Sequence, residues 1–89
     1  MKKCVLDADR LATMDAVYRA LSEAFRFPRY FGNNPDALWD ALGDYSGAPV
    51  AIVWLDAARS ADLLGPGFAR IVTVLQRAAA EGMLTLELV

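Results

Sequence analysis

The stretch Val50-Ala51-Ile52-Val53-Trp54 decides the fold class. Five apolar residues run without a break, and three of them are β-branched. That pattern predicts a strand. Its lack of alternation suits a parallel strand covered on both faces. Pro49 precedes the run and Asp56 follows it. Working outward, residues 2–6 predict a shorter strand around Cys4-Val5-Leu6, also apolar without alternation and also expected to be covered on both faces. Near the C-terminal end, Leu84, Leu86 and Leu88 alternate with Thr85 and Glu87, which predicts a last strand.

Helical periodicity fills the intervals. Residues 7–12 form a connection, and Thr13 is placed to cap a helix with Asp15 in its first turn. Met14, Val17, Tyr18, Leu21, Ala24 and Phe25 recur at helical spacing, and Pro28 stops the run. Asn34 can cap a short helix whose first residue is Pro35, with Gly43 ending it. Residues 60–64 predict a helical turn closed by Gly65-Pro66-Gly67. Phe68, Ile71, Val72, Leu75, Ala78 and Ala79 then mark an amphipathic helix, with Gly82 at its C′ position. Strands separated by helices imply right-handed crossovers and a parallel sheet. The expectation is one α/β domain over residues 1–89, with three parallel strands and packed helices.

Composition narrows the function. The 89 residues are 56% hydrophobic and 22% charged, as in a globular chain. Histidine is absent, which removes Ser-His-Asp and Cys-His catalysis and the usual zinc sites. The single Cys4 excludes an internal disulfide and fits a reducing compartment. No apolar run approaches the ~20 residues that span a bilayer. Asp7 and Asp9 follow the opening Met1-Lys2-Lys3 too soon for a signal peptide. A cytoplasmic protein is expected, monomeric when free, with no cofactor, no metal and no membrane partner. The net charge of −2 argues against direct nucleic-acid binding, which calls for a basic face. It is compatible with a protein partner that itself binds nucleic acid.

The charge is unevenly spread. Between Arg29 and Arg59 there is no Lys or Arg, whereas Asp36, Asp40, Asp44 and Asp56 all fall there. At about 100° per residue, Leu38, Ala41 and Leu42 share one face of the short helix. Asp36 and Asp40 point the opposite way, and Trp39 lies at the boundary. Two explanations stand: a solvated acidic face, or a surface for a cationic partner. Tyr30, Trp39 and Tyr45 can serve core or interface, Phe31 is assigned to the core, and Trp54 to packing. A convex helix face does not make the convergent cleft that a catalytic carboxylate pair needs, so no enzyme is expected.

Tyr30-Phe31-Gly32-Asn33-Asn34-Pro35-Asp36-Ala37-Leu38-Trp39-Asp40-Ala41-Leu42 resembles the signature of the barstar family. That signature reads roughly aromatic-aromatic-Gly-x-Asn-x-Asp-Ala-Leu-Trp-Asp-Ala-Leu. The similarity continues through Lys2-Lys3-Cys4-Val5-Leu6, Pro49, Trp54 and Ala80-Glu81-Gly82. The resemblance implies a three-stranded parallel sheet with packed helices. It also implies an intracellular inhibitor that pushes its acidic helix and preceding loop into the active site of a basic, barnase-type ribonuclease. The implied partner contacts are Tyr30, Asn34, Pro35, Asp36, Trp39, Asp40, Gly43 and Tyr45. Asp40 would sit among the enzyme's cationic catalytic groups, where a substrate phosphate binds.

Four positions depart from the family pattern. Pro35 replaces an aliphatic residue, Gly43 a frequent hydroxyl residue, Tyr45 a frequent Trp, and Arg77 an acidic contact. Gly43 and Arg77 favour an alternative, a barstar-fold module for a basic protein that is not a nuclease.

Overall fold

The computed structural model describes residues 2–28 and 32–89. The elements follow the order β1 (Lys2–Asp7), α1 (Met14–Phe25), α2 (Pro35–Asp44), β2 (Val50–Leu55), α3 (Ala57–Leu64), α4 (Pro66–Ala80) and β3 (Leu84–Leu88). The sheet order is β1-β2-β3, and all pairings are parallel. The register aligns Cys4 with Ile52 and Ile52 with Leu86. This is the α/β architecture that the alternation of strands and helices predicted. Phe31 and Tyr30 lie outside the described residues.

One expectation is corrected. Neither β1 nor β2 is covered on both faces. Cys4, Leu6, Val50, Ile52, Trp54 and Leu84 are buried, but Val5 is 49% and Leu55 37% exposed, and Ala51 and Val53 are half-buried. Strand order explains this. Successive right-handed crossovers that step in the same direction across a sheet place every connecting helix on the same side. The other side carries Lys3, Val5, Val53 and Glu87 and is left open.

Between sheet and helices sits the core. Val17, Tyr18, Leu21 and Phe25 come from α1, Leu38 and Leu42 from α2, and Ile71, Val72, Leu75 and Ala78 from α4. Each set recurs at helical spacing, so each helix buries one stripe. Trp54 is fully buried, stacks edge-on to Phe68 at 5.0 Å, and donates its indole N–H to Ser60 Oγ at 2.8 Å. Ser60 is itself fully buried.

Helix boundaries follow local chemistry, with three differences from expectation. α1 ends at Phe25, ahead of Pro28. Arg26 takes the left-handed conformation (φ 56°), and the N–H of Phe27 reaches back to the Ser22 carbonyl at 3.0 Å. This is a Schellman closure built without glycine. Gly43 lies inside α2, which runs on to Asp44. α3 is eight residues long, and α4 begins at Pro66, directly after Gly65. The end of α4 matches expectation: Gly82 is left-handed (φ 79°), and Met83 N–H bonds the Ala78 carbonyl at 3.0 Å.

Candidate functional site: an acidic helix edge

α2 is presented by its N-cap. Asn34 Oδ1 accepts from the Ala37 N–H at 2.8 Å, and Pro35 opens the helix where no amide hydrogen is required. Leu38 and Leu42 are driven into the core, which fixes the rotation of the helix about its axis. Asp36 and Asp40 are therefore exposed, one turn apart. Asp36 lies in the first turn, where the helix dipole favours an anion.

No cation pairs with these carboxylates among the described residues. The ion pair that forms there joins Arg59 to Asp9. Asp36, Asp40 and Asp44 are all exposed and have no ion-pair partner among the described residues. Asp40 borders two concavities. One, of about 350 Å³, runs between α2 and α4, lined by Pro35, Asp36, Trp39, Asp40, Thr73 and Arg77 among others. The other, of about 740 Å³, includes Asp40, Asp44, Tyr45, Phe25 and Phe27 in its lining.

Trp39 is half-buried at the edge of α2, as helical phasing predicted. The guanidinium carbon of Arg77 on α4 lies 4.5 Å from its ring centroid. This cation–π contact joins the two helices across the smaller groove. Arg77 is exposed. The contact was not readable from the sequence, because residues 38 positions apart carry no local signal of proximity.

Tyr45 caps the C-terminal end of α2 and is half-buried. Its ring meets Phe25 edge-on at 5.0 Å, and its hydroxyl donates to the Ala48 carbonyl. The ring lies so close over Gly47 that a Cβ there would stand 2.6 Å from the Tyr45 oxygen. A side chain at that position would displace the Tyr45 ring. Phe25 also stacks on Phe27 at 5.4 Å. Gly43 is exposed, and a side chain there would meet open space.

The described structure thus gathers Asn34, Pro35, Asp36, Trp39 and Asp40 along one helix edge, with Gly43 and Tyr45 at its far end. Arg77 joins them from α4. Tyr30 lies outside the described residues. Among the described residues, no three His, Cys, Asp or Glu side chains group as metal ligands. No helix there is long and apolar enough to cross a membrane.

Compared with known proteins, the chain matches the family model described as Barstar (barnase inhibitor) over residues 1–86. It is also similar to a Bacillus subtilis (strain 168) protein named "Putative ribonuclease inhibitor YrdF". The two are 30% identical over 81 residues, covering 91% of this chain and 89% of the relative.

Proposed function

The chain belongs to the barstar family, and from that premise we propose that it inhibits a small, basic microbial ribonuclease by occluding the active site. The observation that carries this is the pair of exposed carboxylates, Asp36 and Asp40, without a paired cation among the described residues, on a helix edge oriented by the burial of Leu38 and Leu42. A ribonuclease stabilises a phosphoryl transition state with cationic groups. Asp40, projecting into that cluster, accepts charge-assisted hydrogen bonds in a desolvated cleft. Asn34, Pro35, Asp36, Trp39, Gly43 and Tyr45 lie along or at the end of the same helix edge and make the further contacts, together with Tyr30, which lies outside the described residues. The chain supplies no catalytic group of its own and acts as a cytoplasmic monomer.

RNA cleavage by small basic ribonucleases, followed with and without the protein, tests the proposal. Stoichiometric inhibition of at least one, foremost a ribonuclease made by the same cell, is expected. Undiminished cleavage across a broad panel overturns it. Gly43 and Arg77, by departing from the family pattern, motivate the alternative, a basic partner that is not a nuclease. Recovering the main partner from the host and assaying it for RNA cleavage separates the two.

A further inference from the structure

Among the described residues, Arg77 is the cation that lines the groove between α2 and α4 beside Asp36 and Asp40. It projects from α4 into the groove whose opposite wall carries Asp36 and Asp40. Yet it pairs with neither carboxylate: among the described residues its recorded partner is the Trp39 ring, 4.5 Å from the guanidinium carbon. A guanidinium held against a ring face keeps its in-plane N–H donors available, in the fork geometry that matches a carboxylate. Arg77 is exposed, so this fork is accessible. The two walls therefore present opposite chemistry, acceptors on α2 and a donor fork on α4.

We infer that Arg77 is a specificity-determining contact, which takes an Asp or Glu carboxylate on the partner ribonuclease beside the cationic cluster that Asp40 engages. The inference rests on the inhibitory function proposed above. A partner surface that is uniformly basic opposes Arg77, because like charges brought together at an interface are strongly unfavourable. A surface with one acidic group at the margin of a basic cleft satisfies both walls. Trp39 holds the fork in place and limits the side-chain freedom that binding would otherwise remove. Arg77 thereby selects among ribonucleases that share the same catalytic cations.

The test uses the ribonuclease that the intact protein inhibits. Inhibition constants are compared for the unaltered chain, Arg77→Glu, Arg77→Met and Asp40→Ala, with thermal unfolding of each. Arg77→Glu is expected to weaken inhibition by about 30-fold or more, the scale of an interface hot spot, and Arg77→Met by less. Replacing carboxylates at the rim of the ribonuclease active site by Lys, one at a time, is expected to restore inhibition by Arg77→Glu at one position. That rescue is a coupling a purely structural role for Arg77 does not produce. Should Arg77→Glu fail to fold, Arg77→Met against the same Lys series gives the coupling instead. Inhibition unchanged or tightened in the Arg77 variants, or no rescue at any rim carboxylate, overturns the inference. If Asp40→Ala still abolishes inhibition in that case, the inhibitory function stands and only the role of Arg77 falls. If no ribonuclease is inhibited at all, both fall.

Discussion

The indole of Trp54 and the hydroxyl of Ser60 satisfy each other at 2.8 Å in a place that water does not reach. Trp54 is the penultimate residue of the central strand, and Ser60 stands on α3, the short helix that follows. The bond fastens α3 beneath the end of the sheet. Ser60→Ala would leave a buried N–H without an acceptor, at a cost of about 1–3 kcal/mol. For a domain of this size, the melting temperature falls by roughly 4–8 °C per kcal/mol. Calorimetry or urea unfolding checks this, and a melting temperature equal to that of the unaltered chain contradicts it.

Asp40 and Leu42 stand two residues apart on α2 and are expected to respond in opposite ways. Leu42 is 2% exposed, so Leu42→Ala removes about 2–5 kcal/mol of stability. Asp40 is exposed, and Asp40→Ala leaves the urea midpoint nearly unchanged. Its effect falls on inhibition, with a loss of about 2 kcal/mol or more. Measuring both quantities on both variants checks the assignment of inner and outer faces. A stability loss for Asp40→Ala equal to that for Leu42→Ala would refute it.

Arg26→Gly is expected to stabilise. The residue is left-handed at φ 56°, where its Cβ is strained, and its side chain is exposed. Glycine carries no such penalty, so a gain of about 1 kcal/mol follows, less the extra freedom glycine has in the unfolded chain. The midpoint of urea unfolding should rise with an unchanged slope. A drop would show that the Arg26 side chain contributes contacts worth more than the strain.

Alkaline pH should weaken the fold through two buried acids. Burial pushes the Cys4 thiol above its ordinary value of 9.0, with Lys2 offsetting part of the effect, and burial likewise raises Tyr18 above 10.0. In both, the folded state favours the neutral form. Their contribution is fully present below the unfolded-state values and is lost as pH rises through the folded ones. Unfolding free energy should begin to fall as pH rises through the ordinary thiol value of 9.0 and keep falling through the ordinary phenol value of 10.0, and Cys4→Ala should make that fall shallower. An equal slope in the variant would remove Cys4 from the account.

Elements with a local cause were legible before the structure. Thr13 and Asn34 cap helices because their side chains reach an amide three residues on, at 3.1 Å and 2.8 Å. Gly82 closes α4 because the turn there is left-handed. Leu38 and Leu42 pointed inward, and Asp36 and Asp40 outward, by phase alone. What depended on the arrangement of elements was not legible. Strand order decides whether crossovers cover one face or two, and nothing in Cys4-Val5-Leu6 encodes it. The run Val50–Leu55 was apolar enough for two covered faces, yet received one.

Closure of α1 was not legible for a different reason. Arg26 occupies a conformation that glycine usually fills, so the sequence carries no glycine marker there and its nearest stop signal is Pro28. Similarly, Ser60 gave no sign that it faces Trp54. The contact between Arg77 and Trp39 arises only once α4 lies beside α2. At the candidate site, the carboxylates could be read from the helix itself, whereas the opposing cation belongs to tertiary packing.

The placement of the two tryptophans has an optical consequence. Trp54 is sealed in the core, hydrogen-bonded and close to Phe68. Trp39 is half-buried at the acidic edge, with a guanidinium against its ring. One indole is thus in a dry, rigid environment and the other at the water boundary beside a positive charge. Their emission separates two events that usually overlap. Docking of a partner on α2 perturbs Trp39 and leaves Trp54 untouched, whereas global unfolding exposes both. With no added label, the intrinsic fluorescence of the chain distinguishes occupancy of the helix edge from loss of the fold.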